Sequence, residues 1–207
     1  MTDGDRSSFR LNAVGLAARR GGRTVFAGAS ITVGPGDVFL LRGPNGAGKS
    51  TLLRALAGRL KPESGTIVLE GAGGDLAEAS TLVSHADAVK GNLTAEENLR
   101  FWRDLYGADE ARCARAVAAL EIGAFLRQRA STLSQGQRRR VALCRPLVSG
   151  RRLWLFDEPS AGMDAASVLR ILALIEAHAA AGGAAVIATH EPLPLNGARV
   201  ITLSEAA

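Results

Sequence analysis

The sequence GPNGAGKS, residues 43–50, lies between two segments with different apolar patterns. The segment before it, DVFLLR (37–42), is a short apolar run that predicts a buried strand. The segment after it, STLLRALAG (50–58), has apolar residues at helical spacing and ends at a glycine, which predicts a helix. The eight residues are therefore expected to form a glycine-rich loop between a strand and a helix.

This loop has the spacing G-x-x-x-x-G-K-[ST], which in a strand–loop–helix context predicts a nucleotide phosphate site. Glycines let backbone N–H groups converge on phosphate oxygens without Cβ clashes, and the helix start adds free N–H groups and a positive dipole end. We expect Lys49 to reach the β- and γ-phosphates of ATP and the Ser50 hydroxyl to ligate Mg²⁺. The predicted ATP contacts are Gly43, Pro44, Asn45, Gly46, Ala47, Gly48, Lys49, Ser50 and Thr51.

A second apolar run, LWLFD (153–157), ends in a carboxylate and is followed at once by Glu158. A buried strand would deliver Asp157 to the magnesium ion, directly or through water. Because the chain turns past the strand end, Glu158 would approach the γ-phosphate and orient an attacking water as general base. Alone, the pair would be read as an acidic loop, but beside a phosphate loop it predicts ATP hydrolysis.

Strands and helices alternate along the chain, which predicts an α/β fold with a parallel sheet, as in P-loop NTPases. RLWLFDE, AAVIATHE and ARVITL are predicted strands, with a helix at about 165–180 between the first two. FRLNAVGLAAR and ASITVGPGD are predicted to be short strands joined by a turn, in an N-terminal antiparallel β subdomain, and GTIVLEG is predicted to be a further short strand bounded by Gly65 and Gly71. GAGGDLAEAS is expected to be a flexible connection. We predict one domain, 1–207, with a helical subdomain inserted at about 86–148.

Two capping boxes mark helix starts within the inserted segment. Thr94 and Glu97 form a T-x-x-E box before a helix that carries Leu99, Trp102 and Tyr106 on one face, and a second helix is predicted at about 109–120. An S-x-x-Q box of Ser134 and Gln137 precedes a third helix. Pro146 lies inside that third helix and should kink or end it, at a cost of about 3 kcal/mol unless it is accommodated.

Composition excludes several classes of protein. The chain has 207 residues, 47% of them apolar, a net charge of +5 and no apolar run near the roughly 18–20 residues of a membrane span. Its polar start has no apolar signal region, and Cys113 and Cys144 form no CxxC pair, which favours reduced thiols over a metal site. The arginines are scattered without interleaved aromatic residues, so we expect a solvated surface and no nucleic acid partner.

The segment LSQGQ (133–137) lies at the start of that helix, which is a second helix N-terminus suited to binding phosphate. Because the chain already has a phosphate loop, this second phosphate site would be surplus unless it served another subunit. The phosphate loop, LSQGQ, LWLFDEP, Asp164 after SAGM and His190 after VIAT occur in the order found in ABC transporter ATPase domains. Over nearly its whole length the chain resembles that family. His178, on the helix before the last motif, is expected at the surface.

The resemblance implies that two such domains pair head to tail around two ATP molecules. Ser134 and Gly136, with Gln137, would contact the ATP held by the partner subunit, Asp164 would link the two sites, and His190 would hold the γ-phosphate beside Lys49 and Glu158. Gln135 stands where glycine is common, and we expect function to be retained. The region that in this family usually supplies an aromatic residue to stack on adenine reads AARRGGRTVF (17–26). Either Arg19 or Arg20 is expected to stack instead through its planar guanidinium, or the contact with the base is weak.

The segment VSHADAVKGNLTAEENLRFW (83–102) gives a narrower resemblance. His85 stands where the family's Q-loop has a glutamine that touches Mg²⁺ and contacts the membrane subunit. It is either a tolerated polar replacement or a specialised residue, and it is a further candidate metal ligand. With the short length of the chain, H-x-x-x-x-K-G-x-L-T-A-x-E-N-L-x-F-W resembles the ATP-binding subunits of bacterial haem exporter complexes of cytochrome c maturation.

That resemblance implies an ATP-hydrolysing subunit on the cytoplasmic face of the inner membrane, bound to the membrane permease subunits of cytochrome c maturation, with haem handled by the complex. Part of the apolar surface of Leu93, Leu99, Phe101 and Trp102 is expected to contact the permease and part to be core. Two alternatives remain: the ATPase of another ABC transporter, for lipids, peptides or drugs, and a soluble ABC ATPase acting on ribosomes or nucleic acid. A single phosphate loop without a long insertion argues against the second.

Overall fold

The computed structural model describes residues 9–71, 75–84 and 86–203, which form two sheets and the helices that cover them. The strands are β1 (Arg10–Arg20), β2 (Arg23–Val33), β3 (Val38–Arg42), β4 (Ser64–Glu70), β5 (Ser80–Val83), β6 (Leu153–Asp157), β7 (Ala184–Ala188) and β8 (Arg199–Thr202). The α-helices are α1 (Lys49–Leu56), α2 (Leu76–Ala79), α3 (Ala95–Tyr106), α4 (Glu110–Ala119), α5 (Gln135–Ser149) and α6 (Ala165–Ala180), with short 3-10 turns at Gly123–Phe125 and Ala130–Thr132.

The larger sheet is parallel and has the strand order β5-β6-β7-β3-β8. Residues of β3 and β6 alternate between two apolar cores, since successive side chains of a strand point to opposite faces. Trp154 and Phe156 of β6 join the core formed with α3, α5 and α6, whereas Leu153 and Leu155 join the core formed with α1 and the smaller sheet. The carboxyl ends of β3, β6 and β7 meet at one edge, where open α/β sheets bind their ligands.

The smaller sheet is antiparallel, as predicted for the N-terminal subdomain, and its strand order is β2-β1-β4. Its first two strands have 11 residues each, so the expectation of short strands was wrong. Residues 23–28, expected in the turn, belong to β2, and Arg20 pairs with Arg23 across Gly21 and Gly22. Both glycines have positive φ, 57° and 79°, which gives a tight two-residue hairpin turn.

The capping boxes predicted for α3 and α5 are present. The Thr94 backbone N–H donates to Glu97 Oε2 at 2.7 Å, and the Glu97 N–H donates back to Thr94 Oγ1 at 3.1 Å. The expected flexible connection after β4 was wrong over its described part, because Asp75 accepts a hydrogen bond from the Glu78 N–H and caps the short helix α2. The three residues before it, 72–74, lie outside the described residues.

Two expectations about single side chains need correction. Of the two effects predicted for Pro146, a kink or an end of the helix, the second is wrong, because α5 continues to Ser149. The proline ring is buried, and the Ser149 hydroxyl donates to the Pro146 carbonyl at 2.8 Å. Burial of the ring in the core therefore offsets the cost of the backbone hydrogen bond that a proline cannot donate. His178 is half-buried, because its ring stacks on Trp154 with centroids 3.7 Å apart. Within 9–71, 75–84 and 86–203, no helix combines the length and apolar character required to cross a membrane.

Candidate functional site

The phosphate loop runs from the end of β3 to α1 and depends on glycines at two close approaches. Gly43 has a φ of 145°, and a Cβ there would clash with the Leu203 carbonyl oxygen. Gly48 has a φ of 88°, and a Cβ there would lie 2.7 Å from Phe26 Cδ1 and 2.8 Å from Val25 Cγ1. These positions lack room for a side chain, so the backbone lies close against β2 and the end of β8.

The first turn of α1 leaves backbone donors free. Gly48 is the N-cap residue in the left-handed conformation and supplies no side-chain cap, and the first helical hydrogen bond runs from the Leu52 N–H to the Gly48 carbonyl at 2.8 Å. The N–H groups of the first turn therefore have no partner within the helix. Lys49 Nζ donates to the carbonyls of Gly43 (2.7 Å) and Pro44 (3.0 Å), which uses two of its three donors.

The loop forms one wall of a cleft of about 470 Å³, and the acidic end of β6 forms another. Its lining residues are Arg20, Val25, Asn45, Gly46, Gly48, Lys49, Ser50, Thr51, Asp157 and Glu158. Of the two arginines considered for base stacking, only Arg20 lies at this cleft. Arg19 instead donates to the Gly22 carbonyl at 2.8 Å and pairs with Glu63 at 3.6 Å.

Asp157 and Glu158 present carboxylates to the cleft from the end of β6. Asp157 is 7% exposed. Glu158 has a φ of 51°, a left-handed conformation that costs about 1–3 kcal/mol for a residue other than glycine and persists only where its surroundings hold it. Its N–H donates to the Ala188 carbonyl of β7 at 2.9 Å. Glu158 Oε2 is buried and has no hydrogen-bond partner among the residues that the structure describes.

His190 follows β7 and lies beside the same carboxylate. Its Nδ1 is 3.0 Å from Glu158 Oε1, and its side chain is 66% exposed. The hydrogen bond to Glu158, and then the negative charge of that carboxylate, raise the pKa of His190 above its ordinary value of 6.5. The structure thus brings together Lys49, Ser50, Asp157, Glu158 and His190, although more than a hundred residues separate the phosphate loop from the acidic pair in the sequence.

The oxygen atoms of the cleft suit a magnesium ion. Ser50 offers a hydroxyl and Asp157 a carboxylate, and Mg²⁺ takes one or two such protein ligands and completes its shell with water and substrate phosphates. Among the described residues, no group of three or more His, Cys, Asp or Glu side chains could form an all-protein metal cage. His85, the further candidate ligand, lies outside the described residues.

The residues expected to serve a partner subunit lie away from this cleft, at the start of α5. Ser134 is the exposed N-cap residue, its Oγ accepts from the Gln137 N–H at 3.2 Å, and Gln137 Oε1 accepts from the Ser134 N–H at 2.9 Å. A Cβ on Gly136 would lie 2.8 Å from the Gly162 carbonyl oxygen. Asp164 caps α6 by accepting from the Ser167 N–H at 2.7 Å, and that bond lowers the pKa of its carboxyl.

Sequence reasoning missed Arg139, which is 2% exposed and donates to the carbonyls of Asp157 and Glu158. It stands within the run Arg138–Arg140, which reads as a uniform basic surface. Helical spacing indicates that Arg139 is buried, because it lies on the same face of α5 as the apolar Leu143 and Pro146.

Residues 26–161 match the family model described as ABC transporter. The chain belongs to the ABC transporter family. A putative ABC transporter ATP-binding protein from Pyrococcus furiosus has the same fold, with a TM-score of 0.81 and 25% identity, over 94% of this chain and 97% of that one. A bacterial Atm1-family ABC exporter solved with ATP bound gives a TM-score of 0.81 and 26% identity, over 98% of this chain and 38% of that one.

Curated relatives in this ABC transporter family are more similar in sequence. The protein named cytochrome c biogenesis ATP-binding export protein CcmA from Mesorhizobium japonicum is 43% identical over 195 residues, which is 93% of this chain and 97% of that protein. The protein of the same name from Rhodobacter capsulatus is 42% identical over 189 residues, 91% of this chain and 85% of that protein. The predicted ABC ATPase fold and ATP-hydrolysing activity are confirmed by this membership.

Proposed function

We propose that this ABC transporter protein binds Mg-ATP in the cleft between Lys49 and Glu158 and hydrolyses it as the ATPase subunit of a membrane complex in bacterial cytochrome c biogenesis. The observation that carries the chemistry is the convergence of an uncapped helix start, a lysine and the two acidic residues Asp157 and Glu158 in one cleft. The biological assignment is supported by relatives of about 43% identity that are named for cytochrome c biogenesis and ATP-binding export.

The phosphate loop binds the triphosphate through its backbone. The free N–H groups at the start of α1 and the positive end of its dipole attract phosphate oxygens, and Lys49 contributes its remaining donor and its charge. Residues 43–48 supply close backbone approach in place of side chains. Arg20 lies across the cleft, where its planar guanidinium would stack on the base.

Ser50 and Asp157 would hold Mg²⁺. The ion supplies positive charge that offsets the charge on the phosphate oxygens. Glu158 would accept a proton from the attacking water through its carboxylate, while His190 Nδ1 remains hydrogen-bonded to Oε1. His190 is exposed at the cleft rim, so its ring would donate to the γ-phosphate from that position.

The start of α5 completes the site of a second copy. Ser134 and Gly136 carry little side-chain bulk, and they stand at a helix N-terminus that would attract the γ-phosphate held by the partner subunit. Gln137 holds the Ser134 backbone in the capping box, and Asp164 fixes the start of α6 next to them. A head-to-tail homodimer would enclose two ATP molecules between these two surfaces.

An apolar surface on α3 suits a membrane partner. Leu99 and Trp102, which were candidates for that contact, are 3% and 2% exposed and belong to the core. Phe101 and Leu105, one helical turn apart, are 43% and 59% exposed. We assign these two side chains, with the half-buried Leu93, to the permease subunit, which would hold the protein peripherally at the cytoplasmic face of the inner membrane.

The test is a pull-down of tagged Glu158→Gln protein from native membranes with ATP present, followed by identification of the partners and an absorption spectrum. Recovery of cytochrome c maturation membrane proteins is the expected result, with haem absorption carried by the complex. A matched pull-down with Phe101→Ser and Leu105→Ser should recover less permease at equal ATP binding. Recovery of a different permease would replace the cytochrome c assignment, and recovery of ribosomes alone would overturn the transport assignment.

A further inference from the structure

Arg139 is a buried side chain that the hydrolytic mechanism above does not use. It lies on the second turn of α5 and is 2% exposed, and its guanidinium has five N–H donors in a planar fork. Nη2 donates to the carbonyls of Asp157 at 2.8 Å and Glu158 at 2.7 Å, and Nε donates to the carbonyl of Pro159 at 3.2 Å. The Arg139 side chain therefore donates hydrogen bonds to three consecutive carbonyls of one turn.

That turn sets the direction of the Glu158 side chain. Glu158 adopts its left-handed φ of 51° there, and such a conformation needs support from outside the turn. β7 supports it on one side through the Ala188 carbonyl, and Arg139 supports it on the other through the three carbonyls. Rotation of this turn would move the carboxylate relative to the cleft without disturbing the phosphate loop.

The same guanidinium also reaches the segment after β5. Its Nη1 donates to the Ser84 carbonyl at 2.9 Å and forms an ion pair with the Asp87 carboxylate, which is 18% exposed. A buried arginine needs such a partner, since an unpaired charge in the interior is costly. Asp87 thus fixes both the charge and the orientation of the Arg139 fork.

We propose that Arg139 is a positioning residue for ATP hydrolysis: it holds the turn that aims Glu158, and Asp87 in turn orients Arg139. The inference rests on the proposed function, because it requires Glu158 to be the general base. Arg139 does not line the cleft, so it acts on turnover and not on nucleotide binding. Arg139 lies on the same helix that Ser134 caps, five residues further along, which is about 7.5 Å along the helix axis at 1.5 Å per residue.

The first experiment compares Arg139→Met and Arg139→Lys with Arg140→Met. Arg140 is a matched control on the same helix, because it contacts the Leu120 and Glu121 carbonyls and not the turn. We expect Arg139→Met to lower kcat at least tenfold with the Kd for ATP changed less than threefold, and Arg139→Lys to lose less. Arg140→Met should stay within threefold of the parent in both. If Arg139→Met does not fold, as judged by circular dichroism, Arg139→Lys carries the test.

The second experiment separates positioning from general structural support. Single-turnover rates with Mg-ATP are measured for Arg139→Lys in the parent protein and in the Glu158→Gln background. A residue that acts through Glu158 lowers the rate in the parent but causes no further loss in Glu158→Gln, whereas a structural residue lowers both by the same factor. Asp87→Asn should lower kcat in the parent, and combined with Arg139→Lys it should cost no more than the larger single change.

The outcomes distinguish the inference from the proposed function. Unchanged kcat in both Arg139 variants, or equal fractional losses in the two backgrounds, would overturn the positioning role and leave Glu158 as the base. Normal turnover by Glu158→Gln alone would remove the base itself, and the proposed mechanism with it. Loss confined to the parent background, with Kd preserved, is the result that the geometry requires.

Discussion

Replacement of Glu158 by glutamine tests the chemistry of the cleft with the smallest change in shape. The glutamine side chain has the same size, and its amide oxygen can keep the contact that Oε1 makes with His190. The carboxylate loses its capacity to accept a proton, and the atom replaced by the amide nitrogen is Oε2, which has no hydrogen-bond partner among the described residues. An amide nitrogen in that place cannot accept a proton from water.

The expected magnitude follows from that loss. A positioned general base contributes about 10²–10⁴-fold to a rate, equivalent to about 3–5 kcal/mol of barrier. ATP binding should change less than about threefold, because Lys49 and the first turn of α1 are untouched. The midpoint of thermal unfolding should shift by less than about 4 °C, since the substitution leaves no cavity.

The assay is phosphate release under saturating Mg-ATP, with binding measured separately by calorimetry and assembly by size-exclusion chromatography. A nucleotide-bound dimer should accumulate in Glu158→Gln and not in the parent protein, because turnover no longer separates the subunits. Glu158→Ala is the matched control: it removes the base and also the side-chain shape that glutamine keeps, so both variants should be equally slow if loss of the base sets the rate. A Glu158→Gln rate above about one tenth of the parent rate would refute the reasoning.

Three further results are expected. Gly48→Ala should weaken ATP binding more than tenfold by calorimetry, because the added Cβ would crowd Val25 and Phe26 of β2. Gly182→Ala is the control, because Gly182 has nearly the same φ, 85°, but open space around it. The control therefore measures the roughly 1–2 kcal/mol of backbone strain without the crowding. Arg20→Ala should weaken ATP binding about three- to fivefold, since an exposed stacking contact contributes about 0.5–1 kcal/mol, and an equal effect of Arg19→Ala would contradict the assignment. By NMR the pKa of His190 should lie above 6.5 and fall in Glu158→Gln; the pair therefore stabilises the fold below about pH 6.5, and this contribution is lost as the pH rises through the raised pKa.

Local patterns were sufficient to predict the catalytic side of the cleft because its charged residues follow buried parallel strands. Apolar runs predict such strands, and the carboxyl ends of parallel strands share one edge, so Lys49, Asp157 and His190 could be expected together without coordinates. The capping boxes of Thr94 and Ser134 were equally local, since each needs only residues three positions apart.

The errors arose where distant contacts override a local rule. A proline should interrupt a helix, but the core around Pro146 keeps α5 continuous to Ser149. A histidine near a helix end is usually solvated, but Trp154 of β6 provides a flat partner for the His178 ring. Arg139 has the sequence context of a surface residue, and its role appears only when α5 is packed against the turn after β6.

Gln135 shows how such a contact can make an unusual residue acceptable. From the sequence alone we predict only that function is retained although Gln135 stands where glycine is common in the family. In the structure the Gln135 side chain lies against Gly162, where a Cβ would be 2.7 Å from Gln135 Cδ. Gly162 also has a φ of 73°, a left-handed backbone conformation that favours glycine there. The larger residue at the start of α5 therefore lies against a position, in the segment before α6, where the backbone conformation already favours glycine and leaves room for the Gln135 side chain.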